Sequence, residues 1–300
     1  MLSFARPGIR LAALVALLVS VLGTGAAASA PAQESTPAAL PSPLRFVSHL
    51  DLECFPTEPY QPPDTVIVTQ HLNPVLADLP AEANRLGVRE ELCVPIAKND
   101  LFPPPEVLQF VQFVDLSCYR IEGKEVDFPL RLDHLNPLLA EQFPAREVVI
   151  LSPVQLCVPV MKNGVRPPDE VRRLVSFIDL KCYLEKPPEP LNLYLRLTHL
   201  NPVLVDRLRP HKAVVLDNRE LCVPGRKNNQ QIPQAALNII RWIDLEKYDI
   251  ETEPLQQPIT LTLDHLNPLL ANLPTEKVTL FQARHLMVPV AKNGKFPPDG

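Results

Sequence analysis

Apolar and polar positions alternate along most of this chain with the period of a half-buried strand. In "IDLKCY" (178–183), Ile178, Leu180 and Cys182 alternate with Asp179, Lys181 and Tyr183. "LYLRLTHL" (193–200) places Leu193, Leu195, Leu197 and His199 on one face, and "ITLTLDHL" (259–266) does the same with Ile259, Leu261, Leu263 and His265. Runs such as "EVVIL" (147–151) and "AVVL" (213–216) read as further strands, and "LCVPV" (156–160) as a short one. Pro159 cannot donate to a ladder, so that last strand is expected to lie at an edge or to stop there. Helical signals are brief. In "HLNPLLAEQ" (134–142), Asn136 followed by Pro137 predicts an N-cap with proline at the first helical position. "PPDEVRRLVSF" (167–177) predicts a short helix after its prolines. "KND" (98–100), "KNG" (162–164, 292–294) and "KNN" (227–229) supply turn residues that tolerate positive φ.

These elements recur. "FVSHLDLECF" (46–55), "FVQFVDLSCY" (110–119), "LVSFIDLKCY" (174–183) and "IIRWIDLEKY" (239–248) align without gaps, with starts 64, 64 and 65 residues apart. "HLNP" begins at His71, His134, His199 and His265. "LCVPIAKN", "LCVPVMKN", "LCVPGRKN" and "LMVPVAKN" follow at 92, 156, 221 and 286. A proline pair closes three copies, with Ile232-Pro233 in its place in the third. The expected architecture is mainly β: four tandem small β-rich repeat domains with short helical turns, spanning 46–109, 110–173, 174–238 and 239–300. A four-bladed closed ring is the other arrangement that fits.

The first 32 residues carry Arg6 and Arg10, the apolar run "LAALVALLVSVLG" and small residues up to Ala32. That order predicts a secretory signal peptide over 1–32, and the apolar run is shorter than the roughly 20 residues of a membrane span. A proline-rich, extended leader is expected over 33–45. Removing 1–32 takes away two arginines and no acid, so the net charge goes from −5 to −7. Such a balance argues against non-specific nucleic-acid binding. Prolines number 36 and glycines nine, yet 46% of residues are hydrophobic, which excludes a disordered chain. The reading gives the membrane a part only in export.

Six cysteines allow fifteen connectivities, but the repeat offers an internal comparison. Copies one to three each hold one cysteine in the first strand and one in the "LCVP" motif, 39, 39 and 40 residues apart. The fourth has Lys247 and Met287 at the corresponding positions. Pairing within each copy, Cys54–Cys93, Cys118–Cys157 and Cys182–Cys222, leaves no orphan. Pairing across copies would strand Cys54 and set Cys222 opposite Lys247. A 64-residue unit buries only about 60% of its unfolded surface, and a bridge closing about 40 residues adds about 4 kcal/mol in the chain-entropy model. The fourth copy is expected to compensate with Met287 as an apolar filler and with Trp242 where Phe113 and Phe177 stand in copies two and three.

Chemistry is harder to find. His71, His134, His199 and His265 could converge on a metal in a closed ring, but zinc wants three or four ligands in a tight shell, and no second histidine stands at ligand spacing within a copy. A structural role, with a ring nitrogen bonded to a local carbonyl, is the stronger expectation. Lys98, Lys162, Lys227 and Lys292 read as solvated turn lysines rather than an anion-binding stripe. Asp51, Asp115, Asp179 and Asp244 recur on the polar face of the first strand without a calcium-type loop. No "GxSxG", "HExxH" or phosphate-cradling loop is present. No catalytic residue, cofactor or resident metal is expected, and no singular polar constellation breaks the repeat.

The pattern of Leu116-Ser117-Cys118-Tyr119, then Leu156-Cys157-Val158-Pro159, Lys162-Asn163-Gly164 and Leu180-Lys181-Cys182-Tyr183 resembles an uncharacterised tandem-repeat domain of secreted bacterial proteins. The resemblance covers nearly all of 46–300. It implies a bacterial, exported, β-rich repeat protein and no activity. The sequence thus points to an exported non-enzymatic protein, secreted or periplasmic: a structural or binding module of the envelope or exterior, its partner a protein or cell-surface ligand. The rival reading is a metal- or small-ligand-binding ring built on the four histidines.

Overall fold

The structure is a computed structural model and describes residues 39–299. The expected signal peptide and residues 33–38 of the leader lie outside the described residues. The chain is mainly β, as its alternation predicts, with a large antiparallel sheet and three disulfides. The strands are β1 (Asp51–Tyr60), β2 (Val66–His71), β3 (Glu82–Arg85), β4 (Arg89–Lys98), β5 (Leu116–Arg120), β6 (Phe128–His134), β7 (Arg146–Lys162), β8 (Leu180–Lys186), β9 (Pro190–His199), β10 (His211–Lys227), β11 (Leu245–Thr252), β12 (Ile259–His265), β13 (Glu276–Leu280) and β14 (His285–Lys292). The helices are α1 (Pro43–Val47), α2 (Pro105–Val111), α3 (Pro137–Ala140), α4 (Asp169–Val175) and α5 (Gln234–Ile240).

Eight strands pair in a circuit. β1 pairs with β4, β4 with β5, β5 with β7, β7 with β8, β8 with β10, β10 with β11, β11 with β14, and β14 again with β1, all antiparallel. The remaining strands reach further along the chain. β2 adds to the end of β10, β6 to β14, β9 to β4 and β12 to β7. Pro159 therefore does not mark an edge. It falls where pairing with β8 has ended at Cys157 and pairing with β12 begins at Val160, so its missing donor is harmless there, while its carbonyl accepts from Leu266 N at 3.0 Å. Pro95, Pro224 and Pro289 accept equally from Leu200, Leu72 and Leu135 at 3.0 Å.

Each "KN" turn has two consecutive residues in the left-handed region, Asn99-Asp100, Asn163-Gly164, Asn228-Asn229 and Asn293-Gly294. That is the hairpin geometry Asn, Asp and Gly favour. The first Asn also clasps a distant strand. Asn163 donates its backbone N–H to Thr262 O and accepts from Thr262 N through Oδ1, both at 2.9 Å. Asn99 with Arg196, Asn228 with Val68 and Asn293 with Arg131 repeat the clasp at 2.8 Å.

Three of the helices, α1, α2 and α3, start on prolines, whose missing N–H and fixed φ suit a first turn, and α4 and α5 follow directly on one. α2 touches α1 and α4, and α5 touches α1 and α4. Their apolar faces, Phe46-Val47, Val107/Phe110/Val111, Val171/Leu174/Val175 and Ala236/Ile239/Ile240, share one core with all six cysteines and Met287. Burying each such side chain fully contributes roughly 1.5–3 kcal/mol. Met287 fills the cysteine layer as expected, and Trp242 packs half-buried beside it with Phe113 and Phe177. The expected leader boundary at 45 falls inside α1, which Leu44 ties to Pro298 by an N–H···O bond of 3.0 Å.

Candidate functional site

The recurrent lysines and aspartates correct the sequence reading. Lys98, Lys162, Lys227 and Lys292 are not solvated. They are at most 2% exposed, and each forms an ion pair with the aspartate of its own copy: Asp51, Asp115, Asp179 and Asp244. Burial pushes each amine down and each carboxyl up, and the partner's charge opposes both shifts. A buried ion pair needs further hydrogen bonds to satisfy its oxygens, and the "HLNP" asparagines supply them. Asn136 donates to Asp51 at 3.1 Å, Asn201 to Asp115 at 2.7 Å, Asn267 to Asp179 at 3.3 Å and Asn73 to Asp244 at 2.7 Å. The same side chains cap the following turns, Asn136 Oδ1 accepting from Leu138 N at 3.1 Å.

The four histidines do not converge, and the predicted bond to a local carbonyl is replaced by packing on an aromatic ring from a distant strand. His71 lies against Tyr183, His134 against Tyr248, His199 against Phe55 and His265 against Tyr119, with centroids 5.8, 6.3, 5.8 and 6.1 Å apart. Beside each pair sits a charged couple. Lys181 pairs with Glu82; Glu246 pairs with Arg146; Glu276, facing Ser117's strand, pairs with Arg89. Glu82, Arg146, His211 and Glu276 occupy corresponding positions after "HLNP", and Glu53, Ser117, Lys181 and Glu246 corresponding positions before the cysteine layer. Three couples match acid to base across the two columns, Glu53 with His211, Lys181 with Glu82 and Glu246 with Arg146; at the fourth, Ser117 is neutral and Glu276 takes Arg89 from outside both columns. Burial holds His71 down to about 3 and His134 to about 4, with Lys181 and Arg146 adding to it. These two rings are neutral at pH 7.

The departure in the fourth copy proves polar. Lys247 is fully buried and donates to Glu91 at 2.5 Å and Gln155 at 2.6 Å, with Glu220 at 2.8 Å. Although burial pulls its amine down, Glu220 and Glu91 hold it above the usual lysine value. His285 completes the layer, 2.6 Å from Glu91. Burial lowers it, but Glu91 and Asp249 outweigh that and raise it to about 9. Sequence reasoning missed this network. The signal was present: Glu91, Gln155, Glu220 and His285 each stand two residues before Cys93, Cys157, Cys222 and Met287, hence on the same strand face.

One cluster differs from its counterparts. Glu53, fully buried, faces His211 Nε2 at 2.8 Å through Oε1 and His199 Nε2 at 3.2 Å through Oε2. The two imidazoles stack 5.8 Å apart. Burial pushes Glu53 up, but His199 and His211 outweigh it and hold the carboxyl at about 2. His211 also borders a cleft of about 670 Å³ between 206–211 and 252–259. Phe55, Leu208 and Leu255 give that cleft apolar walls, and Asp206, Arg207, Arg209 and Glu253 give it charge. Here buried titratable groups meet an open concavity.

No protein-family model, curated protein or solved structure matches the chain. The three disulfides fit an oxidising extracellular or periplasmic compartment. Among the described residues no helix is long and apolar enough to cross a membrane.

Proposed function

We propose that the chain is an exported, non-enzymatic binding module whose four sequence copies close into one ring of strands, with the ligand taken in the cleft between 206–211 and 252–259. The strand circuit and the Asn–Asp bonds between copies support closure, because each copy's asparagine serves the aspartate of the copy before it and Asn73 serves Asp244 of the last. Export is supported by the disulfides and by the resemblance to a secreted bacterial repeat domain. The observation that carries binding is the cleft itself. Concave sites with apolar walls and a few convergent polar groups are the usual form of ligand pockets. Its two arginines, two acids and Phe55 suit a small polar ligand with an apolar portion, presented free or on a cell-surface molecule.

Native mass spectrometry of the oxidised chain recovered from the culture medium of a secreting host tests this reading. A bound small molecule that is lost on filling the cleft by Leu255→Trp supports it. A ligand-free spectrum for both forms in complete medium, or a ligand retained by the variant, rules it out.

A further inference from the structure

We propose that Glu53, His199 and His211 form a binding site for one divalent transition-metal ion of the zinc type. The site goes beyond the cleft reading and does not depend on what the cleft binds. Three observations carry it. First, the donor set is two imidazole nitrogens and a carboxylate, and one ligand atom from each lies within 4.8 Å of the others. Zinc–nitrogen and zinc–oxygen arms of roughly 2.0–2.2 Å in a tetrahedron separate neighbouring ligand atoms by about 3.3 Å. Each imidazole nitrogen has a carboxylate oxygen near that edge, His211 Nε2 lying 2.8 Å from Oε1 and His199 Nε2 3.2 Å from Oε2.

Second, the cluster is only half satisfied internally: His211 Nε2 bonds Glu53 Oε1 at 2.8 Å, but the other contact is not a hydrogen bond. His199 Nε2 and Glu53 Oε2 are both buried and make no hydrogen bond, although they are 3.2 Å apart. Buried polar groups in folded proteins are paired in the large majority of cases. A cation between the two atoms satisfies both lone pairs at once.

Third, the corresponding clusters are neutralised by lysine or arginine, and this one is not. Glu246 has Arg146, Glu82 has Lys181 and Glu276 has Arg89, whereas Glu53 has no lysine or arginine partner among the described residues. The outer shell is also in place for His211, whose Nδ1 lies 3.2 Å from Arg209 O. With Nδ1–H donating to that carbonyl, an ion takes the place of the contact between Nε2 and Glu53 Oε1. The cleft reaches the cluster at His211 and provides the entry path a site of this kind requires.

The test titrates the chelator-treated, oxidised chain with Zn2+ alone by calorimetry, and with Co2+ by visible absorption. One ion per chain is expected, with the intense d–d bands of a tetrahedral N/O site. His211→Ala is expected to weaken uptake by more than the about 10–100-fold that outer-shell changes cost. His134→Ala, in a counterpart cluster, is expected to leave it unchanged. Failure of the folded chain to take up either metal overturns the proposal, as does uptake that His211→Ala leaves intact. If that variant does not recover its three disulfides, X-ray absorption on the zinc-loaded wild-type chain decides. Two imidazoles in the shell uphold the site, and a shell without imidazole scattering overturns it.

Discussion

Lys247 of β11 donates a hydrogen bond to Glu91 of β4, over 156 residues of sequence and 2.5 Å of space. It stands where the other three copies carry a half-cystine, and it ties its own copy to all the others through Glu91, Gln155 and Glu220. A covalent staple within one copy is thus exchanged for an electrostatic one between copies.

Lys247→Met is expected to destabilise the oxidised chain by about 3–5 kcal/mol, because Glu220 loses its buried cation and Glu91 keeps only His285. Adding Glu91→Gln and Glu220→Gln should restore most of the loss. Denaturant unfolding under non-reducing conditions measures both; if the triple variant is no more stable than the single, uncompensated charge is not the cause.

Lys162→Met discriminates the buried lysine from a solvated one. With Asp115 left in the interior, a loss of about 3–5 kcal/mol is expected. Lys124→Met, at an exposed position, should stay within about 0.5 kcal/mol. Equal, small effects for the two variants would contradict the ion pair.

His285 makes stability depend on alkaline pH. Its folded-state pKa is raised from 6.5 to about 9, so the folded chain binds the proton more tightly than the unfolded one. The contribution is full below about pH 6.5 and is lost as pH rises through 9, with an upper bound of about 3 kcal/mol. His285→Gln should flatten the melting temperature between pH 6.5 and 9. An unchanged slope in that window would exclude His285 as its source.

Removing one staple as a pair, Cys118→Ala with Cys157→Ala, opens a loop of 39 residues. About 4 kcal/mol is expected to be lost in the chain-entropy model. Chemical unfolding of the double variant against the parent checks it, and a loss under about 1 kcal/mol would show that the surrounding network already holds the register.

Much of this was written in the sequence. Alternation predicted the strands, Asn136-Pro137 its capped turn, the Asn-rich turns their positive φ, and the paired absence of Cys at 247 and 287 the disulfide connectivity. Less legible was anything that depends on which copies meet. Lys162 in "KNG" looks like any turn lysine until Asp115 closes over it. The complementary couples at 181 and 82 or 246 and 146 lie about 100 residues apart, and only the fold shows which columns to compare. The Glu53–His199–His211 cluster escaped for the same reason. Its two histidines are twelve residues apart on neighbouring strands, outside helical ligand spacings, and its carboxylate comes from the first strand.

The bond between Leu44 and Pro298 sets the two ends of the described chain side by side, and β14 lies against β1. The three disulfides staple β1 to β4, β5 to β7 and β8 to β10, leaving β14 without a covalent link to either neighbour. A mechanical load applied between the ends therefore falls first on the β14–β1 seam, which yields bond by bond like a zip, while the stapled strands stay shut. Under tension the chain would open at one defined place.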